Sequence, residues 1–197
     1  RHFYESTSAE GRGIQPGREI LDVTTGIKSI GGYKDAIATQ SALFNANYDY
    51  DNRYMGQVSY RMDESSCFGK NNRMGHFFTV SGGWNIQNET FFESLRESVN
   101  QLKVRVSYGS LGNTPGAYYG HYPLYSSMMY NDEVAYFPSQ MGNADLSWEK
   151  CYTTNIGIDA RFFDRFGVTI DLYNKNTSDL LYYAPLPNIS GYTGQYK

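Results

Sequence analysis

Apolar and polar residues alternate with a period of two along much of this sequence, and this pattern restricts the fold more than any other feature. Successive side chains of a β-strand point to opposite faces of a sheet, so the pattern predicts strands with one apolar and one polar face. Six segments carry it: residues 42–50, 54–62, 76–86, 102–110, 148–162 and 166–174. We therefore predict an all-β, antiparallel fold in which these six strands pair in chain order.

The links between the predicted strands alternate in length. Tight turns at 51–52 and 164–165 join the first pair and the last pair of strands. Long polar stretches, 63–75 and 111–146, follow the second and the fourth strand. Short turns at one end and long loops at the other are typical of bacterial outer-membrane barrels, whose turns are periplasmic and whose loops are extracellular. The links thus favour part of an up-and-down transmembrane β-barrel.

The link between the third and fourth strands has a different pattern. Between Asn88 and Val99, the apolar residues Phe91, Phe92 and Leu95 recur at helical spacing, and Val99 falls on the same side. Such spacing is typical of an amphipathic helix. We expect one short helix here, packed under the periplasmic rim of the barrel.

Composition is compatible with a barrel and argues against other classes. The chain has 19 Tyr, 11 Phe and 20 Gly among its 197 residues. No stretch approaches the roughly 18 consecutive apolar residues of a transmembrane helix, whereas a barrel strand needs only about 9–11 residues, every second one facing lipid. The formal charge of -3 offers no broad basic surface, so we predict that nucleic acid is not a partner.

Alternation alone does not tell whether the apolar face meets lipid or a second sheet. A soluble, secreted β-sandwich that binds carbohydrate is therefore the alternative to a barrel. Charged residues and Asn at mid-strand on the polar side suit a wide, water-filled lumen as well as an outer surface. Six strands cannot close a transmembrane barrel, since the smallest have about eight, so we expect the remaining strands to come from the rest of a longer polypeptide.

In the barrel interpretation, the apolar side of every strand faces lipid. Aromatic residues gather near strand ends, for example Tyr50 and Tyr54 at the first turn and Phe162 and Phe166 at the last. Interfacial girdles of membrane barrels have this composition. The mid-strand residues that we expect to face lipid are Phe44, Val58, Val80, Val106, Ile156 and Ile170.

Ordered motifs along residues 42–191 resemble those of the SusC/RagA family of TonB-dependent outer-membrane transporters. The second strand leads into DESSCFGKNNRMG, and FFTVSGGWNI, FFESL, LKVRVSYGSLGN, LSWEK, TNIGIDARFF and DLYNKNTSDLL follow in the family's order. Several motifs in one order make the resemblance specific. Met62, Cys67 and Lys150 depart locally from the family pattern without affecting the fold.

The resemblance implies a TonB-dependent importer in the outer membrane of a Bacteroidetes-type bacterium. The barrel would have about 22 strands, and residues 1–197 would all belong to it. A signal peptide and an N-terminal plug carrying the TonB-contacting segment would precede Arg1. The implied partners are TonB, outer-membrane lipid, a SusD-like surface lipoprotein that closes the transporter, and an oligosaccharide or a peptide as substrate.

The stretch 111–146 is the candidate functional loop, expected on the extracellular face. Tyrosine rings can stack on sugars or bury against a protein partner at low entropic cost, although they can also pack within the loop. The candidates for contact with substrate or lipoprotein are Tyr118, Tyr119, Tyr122, Tyr125, Tyr130 and Tyr136. Residues 1–41 are predicted to be mostly a further extracellular loop, and a strand at 19–28 is left open.

Patterns typical of catalytic or metal sites do not occur in the sequence. The three histidines have no partner at the spacing of a catalytic triad, and the adjacent carboxylates at 63–64 and 132–133 lie in predicted loops. Cys67 and Cys151 stand alone, which excludes the usual zinc and redox motifs; a disulfide and two free thiols stay open as alternatives. We predict no enzymatic activity, no cofactor and no metal.

Overall fold

The computed structural model describes residues 2–13, 17, 26 and 29–197. The chain forms two compact units, Arg1–Ala38 and Thr39–Lys197. The segment 19–28, where a strand was left open, lies outside the described residues apart from Gly26.

The first unit contains a hairpin where the sequence predicts a loop. Strands β1 (His2–Glu10) and β2 (Ser29–Ile37) pair in antiparallel register. The loop prediction was wrong because neither strand alternates regularly: polar, charged and apolar residues are mixed at the paired positions. Glu5 lies opposite Lys34, with 3.7 Å between Glu5 Oε2 and Lys34 Nζ, and opposite charges at facing positions favour strand pairing.

The second unit is built around one six-stranded sheet. In chain order its strands are β3 (Thr39–Tyr50), β4 (Tyr54–Ser65), β5 (Met74–Asn85), β6 (Val99–Asn113), β7 (Leu124–Tyr130), β8 (Glu133–Met141), β9 (Glu149–Phe162), β10 (Phe166–Ser178), β11 (Tyr183–Pro185) and β12 (Gly194–Tyr196). The antiparallel sheet has the order β10-β9-β6-β5-β4-β3. This order confirms the six predicted strands and their pairing in chain order, because β7 and β8 leave the sheet between β6 and β9.

The register of the sheet sorts the side chains into two faces. Directly paired residues share a face, and Val58 pairs with Val80 just as Val106 pairs with Ile156. These four positions belong to the apolar face, and the residues between them form the polar face. All four are 46–48% exposed, so the rest of the second unit leaves the apolar face open at mid-strand.

Three connections meet at one end of the sheet, which we call the turn end. The turn after β3 is confirmed: Asp51 and Asn52 have φ angles of 53° and 52°. The turn after β9 is centred one residue earlier than predicted, on Phe163 and Asp164, with φ angles of 52° and 51°. The left-handed conformation is unusual for a residue as bulky as Phe163. The Phe163 N–H also donates to the Ser98 carbonyl of the adjacent connection at 3.1 Å.

The connection between β5 and β6 differs in form from the one short amphipathic helix predicted for 88–99. It forms two short 3-10 helices, Ile86–Asn88 and Thr90–Leu95, and β6 already begins at Val99. Backbone hydrogen bonds three residues apart define these helices, for example from the Phe92 N–H to the Glu89 carbonyl at 3.2 Å. Among the described residues, no helix is long and apolar enough to cross a membrane.

The opposite end of the sheet, the loop end, has more structure than predicted. The stretch predicted as a long loop contains β7 and β8, which form a second sheet of order β11-β12-β8-β7. The pairing of β12 with β8 is parallel and joins residues 194–195 to 140–141. The C-terminal segment therefore helps to hold the β7–β8 hairpin in place.

Candidate functional site: the polar face and the loop end of the sheet

An ion-pair cluster on the polar face links three strands. The Arg105 guanidinium on β6 donates to both oxygens of Asp159 on β9, from Nε at 2.7 Å and from Nη2 at 3.1 Å. Nη2 also donates to Asp171 Oδ1 on β10 at 3.1 Å, and the Thr169 hydroxyl donates to Asp159 Oδ1 at 3.1 Å. A two-pronged arginine–carboxylate contact is geometrically specific, so the cluster fixes how these strands lie against one another.

Gly157 provides the space that this cluster needs. It pairs with Arg105 on one side and with Asp171 on the other. A Cβ atom at Gly157 would lie 2.9 Å from Arg105 Nη2 and 2.5 Å from Asp171 Oδ1. Any larger residue would therefore obstruct the guanidinium where it crosses β9.

The polar face borders a depression of about 490 Å³. Its lining combines amide, hydroxyl and cationic side chains, among them Asn47, Gln57, Ser81, Lys103 and Arg105. Such a surface can form hydrogen bonds with water or with a polar solute. The described residues contain no group of three or more His, Cys, Asp or Glu side chains that could hold a metal ion.

At the turn end, Glu89 organises a second polar network. Its Oε1 atom accepts hydrogen bonds from the Tyr54 hydroxyl at 2.6 Å and from Trp84 Nε1 at 3.0 Å. Its Oε2 atom lies 3.8 Å from Arg53 Nη1. Hydrogen bonding by Tyr54, and then by Trp84, lowers the pKa of Glu89, with a smaller contribution from the Arg53 charge. Glu89 therefore ties the β5–β6 connection to the strands as a carboxylate.

The loop end contains a small hydrophobic core. Phe68, Phe77, Leu146 and Trp148 are each at most 6% exposed, and we call them the loop-end core. The Trp148 ring centre lies 4.8 Å from that of Phe68 and 5.5 Å from that of Phe77. Trp148 Nε1 donates to the Arg73 carbonyl at 3.1 Å. These contacts join the β4–β5 loop to the start of β9.

Motifs that carry the family resemblance meet in this core. Phe68 comes from DESSCFGKNNRMG, Phe77 from FFTVSGGWNI, and Trp148 from LSWEK. Gly112 of LKVRVSYGSLGN leaves room for the Phe77 ring, because a Cβ atom at position 112 would clash with that ring. Much of the ordered motif pattern therefore encodes packing beneath the loops.

The six candidate tyrosines do not form one site. Tyr118 and Tyr119 are half-buried at the base of the loop, and the ring of Tyr122 packs against His121 with 3.9 Å between centres. Tyr130, beside the hairpin turn, is 73% exposed. Only Tyr125 and Tyr136 share a face of the β7–β8 hairpin, as the register of the pair requires.

That hairpin surface also carries Met129 and Val134, and we call these four residues the hairpin face. Met129 pairs directly with Val134, and Tyr136 pairs with Ser127, which lies between Tyr125 and Met129 along β7. The four side chains are 61–75% exposed. Aromatic and Met side chains are enriched in protein interfaces, so this exposed strip is a candidate contact surface.

Both cysteines are free thiols, which settles the alternative that the sequence left open. Cys67 is buried in the β4–β5 loop, where its carbonyl lies 3.0 Å from His121 Nδ1. Cys151 lies on β9, where it pairs with Leu111. The contacts of Cys67 are those of a loop-packing residue.

Residues 6–196 match the family profile described as TonB dependent receptor-like, beta-barrel. The chain belongs to this family. The TonB-dependent receptor P39 of Formosa agariphila is 39% identical over 158 residues, 79% of this chain and 15% of that protein. The TonB-dependent receptor SusC of Bacteroides thetaiotaomicron is 32% identical over 176 residues, 81% of this chain and 17% of that protein.

A solved structure of the RagAB peptide importer in its closed-closed state superimposes with a TM-score of 0.88. It is 30% identical in sequence, and the match covers 99% of this chain and 22% of that chain. The chain of this TonB-dependent receptor barrel thus spans less than a quarter of the length of these relatives. The comparisons confirm the resemblance to SusC and RagA, the antiparallel transmembrane barrel fold, and a place in the bacterial outer membrane.

Two parts of the barrel were not identified as sites from the sequence. The alternation puts Arg105, Asp159 and Asp171 on the polar side, yet only the register shows that they touch. Glu89 lies 35 residues from Tyr54 along the chain, and no local pattern announces that contact. The only hint in the sequence was that Glu89 follows Trp84 by five residues, close to a predicted strand end.

Proposed function

We propose that the polypeptide containing this chain imports a nutrient across the outer membrane, powered through TonB, and that residues 1–197 all belong to its barrel domain. The two-faced sheet is the observation that supports this most directly. An apolar face beside a polar face with a fixed ion-pair cluster suits a wall between lipid and a water-filled passage. In this proposal Phe44, Val58, Val80, Val106, Ile156 and Ile170 face lipid.

The substrate in this proposal is an oligosaccharide or a peptide. The RagAB relative is a peptide importer, which supports a peptide, whereas the resemblance to the SusC/RagA family also implies oligosaccharides. Both classes are rich in hydrogen-bonding groups, as is the polar face around Asn47, Gln57 and Ser81. A screen of growth on defined oligosaccharides and peptides distinguishes the two.

We also propose that the hairpin face takes part in substrate capture or in contact with a SusD-like lipoprotein. Its four side chains are more than 60% exposed. The hairpin is held at its base, where Gln140 Nε2 donates to the Tyr119 and Tyr122 carbonyls at 3.1 Å and 3.0 Å. A held hairpin presents its apolar strip with less loss of conformational entropy on binding.

The test compares two faces of the same hairpin in the full-length transporter. The variant Tyr125→Ser with Tyr136→Ser removes both rings from the hairpin face, and Tyr130→Ser removes a comparably exposed ring from the other face. We expect the double variant to reach the outer membrane but to lose either co-purification of the lipoprotein or nutrient-dependent growth. The control variant should keep both. Normal growth and normal co-purification of a correctly inserted double variant would refute the role of this face.

A further inference from the structure

The connection Ile86–Ser98 folds toward the apolar side of the sheet. Tyr54 and Trp84 pair across β4 and β5 in the same alternating row as Val58 and Val80, and their rings stack with 6.3 Å between centres. Both rings donate to Glu89 Oε1. Because Glu89 meets the ring tips of two apolar-face residues, the chain that follows it begins on that side of the sheet and not across the polar face.

Two large apolar side chains of this connection are left exposed. Phe91 is 64% exposed and Leu95 is 51% exposed, whereas Phe92 between them is 4% exposed. Phe92 therefore anchors the 3-10 helix, whereas the side chains of Phe91 and Leu95 stay accessible to the surroundings. An exposed Phe and Leu beside a Tyr–Trp row match the composition of membrane interfaces, where aromatic rings sit at headgroup level.

The charges of the connection indicate how it would meet a membrane. Glu93 and Glu97 outnumber Arg96, and Glu89 already has Arg53, Tyr54 and Trp84 around it. Anionic headgroups would not attract such a segment. Contact with a leaflet must therefore depend on apolar side chains and be nearly independent of salt.

We propose that Ile86–Ser98 is an interfacial anchor, in which Phe91 and Leu95 enter the periplasmic leaflet of the outer membrane while Glu89 holds the connection against the outer wall of the barrel. The ligand is the phospholipid leaflet itself. The inference rests on the proposed lipid-facing side of the sheet. It adds a lipid contact beyond the strands, at the end where the turns meet.

The test uses the photoreactive residue p-benzoylphenylalanine in the full-length transporter reconstituted in phosphatidylethanolamine-rich vesicles. The residue replaces Phe91 or Leu95 in the test proteins. Substitution at Ile170 gives the lipid-facing reference, and substitution at Glu93 or Ser81 gives the controls. After irradiation, mass spectrometry counts phospholipid adducts. We expect adducts at 91, 95 and 170, unchanged when the salt concentration is raised, and only background at 93 and 81.

The reference separates failure of the anchor from failure of the proposed membrane face. Adducts at 170 but only background or protein cross-links at 91 and 95 would overturn the anchor alone. Background at 170 as well would overturn both the lipid-facing assignment and the anchor. Adducts at 91 that disappear in high salt would overturn the apolar mode of binding.

The role of Glu89 is tested in the same proteins. Glu89→Gln keeps a carbonyl oxygen that can accept the hydrogen bonds of Tyr54 and Trp84, whereas Glu89→Leu cannot accept either. We expect the lipid adduct at 91 to persist in Glu89→Gln and to fall to the background of position 93 in Glu89→Leu. Persistence of the adduct in Glu89→Leu would show that Glu89 does not position the anchor.

Discussion

Val58 and Val106 in the six-stranded sheet are 46% and 47% exposed, whereas Phe68 and Leu146 at the loop end are 0% and 1% exposed. The first pair belongs to a wall whose apolar side is left open to its surroundings, and the second to a core closed by the chain itself. The loop end thus packs as a water-soluble domain does, whereas the wall, in the proposed orientation, has its apolar face covered by lipid. The two regions should respond to opposite kinds of substitution.

The largest effect is expected where the chain closes its own core. Trp148→Ala removes the ring that touches Phe68 and Phe77 and the donor to the Arg73 carbonyl. Truncation of a buried Trp costs about 3–5 kcal/mol, here in the local stability of the loop end. Hydrogen exchange of the β4–β5 loop in the full-length protein measures the loss. Tyr173→Ala, at a 76% exposed ring, is the control; equal protection in both variants would contradict a separate loop-end core.

A charge on the wall should act in the opposite way on its two faces. Val106→Arg places a cation on the proposed lipid side and should cost about 2–4 kcal/mol near the bilayer midplane, less toward the interfaces. Ser107→Arg, one residue on, points to the polar side and should leave folding largely intact. Urea unfolding in vesicles, followed by the gel mobility of the folded barrel, measures both. Similar losses in the two variants would refute the assigned faces.

The strands of the wall could be predicted from the sequence, whereas the β7–β8 hairpin could not. A barrel wall has a local period, so β3, β4, β5, β6, β9 and β10 were all predicted with errors only at their ends. The β7–β8 hairpin was missed because apolar residues occupy both of its faces: Met129 and Val134 on one, Met128 and Phe137 on the other. Without alternation, a surface hairpin in a long connection cannot be told from a loop.

Contacts between distant segments were beyond prediction for a different reason. The loop-end core joins Phe68 to Leu146 and Trp148, and no period links positions so far apart in the chain. The β5–β6 connection is tied to the first turn, where Asn85 Nδ2 and Asn88 Nδ2 donate to the Asn52 carbonyl at 2.7 Å and 2.8 Å. The spacing of Phe91, Phe92 and Leu95 in the sequence does not indicate those hydrogen bonds.

A smaller effect is expected where the polar face needs space. Gly157→Ala forces the Arg105 guanidinium away from Asp171, and overpacking of this kind costs about 1–3 kcal/mol. Gly167→Ala on β10 is the matched control, because a Cβ atom there meets nothing within 4 Å. Urea unfolding of the inserted barrel compares them. The cost of Gly157→Ala should shrink in an Arg105→Ala background; an unchanged cost would show that the glycine serves the backbone and not the ion pair.

The smallest effect concerns the turn end and depends on pH. Hydrogen bonds from Tyr54 and Trp84 lower the pKa of Glu89 below its ordinary value of 4.5. A carboxyl group whose pKa is lower in the folded state stabilises that state fully above the unfolded pKa, and this contribution is lost as the pH falls through the folded pKa.

Glu89→Gln lacks the titration, so hydrogen exchange of the Phe92 amide should be slower in the wild type than in the variant near neutral pH. The difference should narrow as the pH drops below 4.5, with both proteins compared at each pH because exchange itself depends on pH. A difference that stayed constant down to pH values well below that point would mean that the charge of Glu89 is not its cause. No difference near neutral pH would mean that the neutral hydrogen bonds are sufficient to hold the connection.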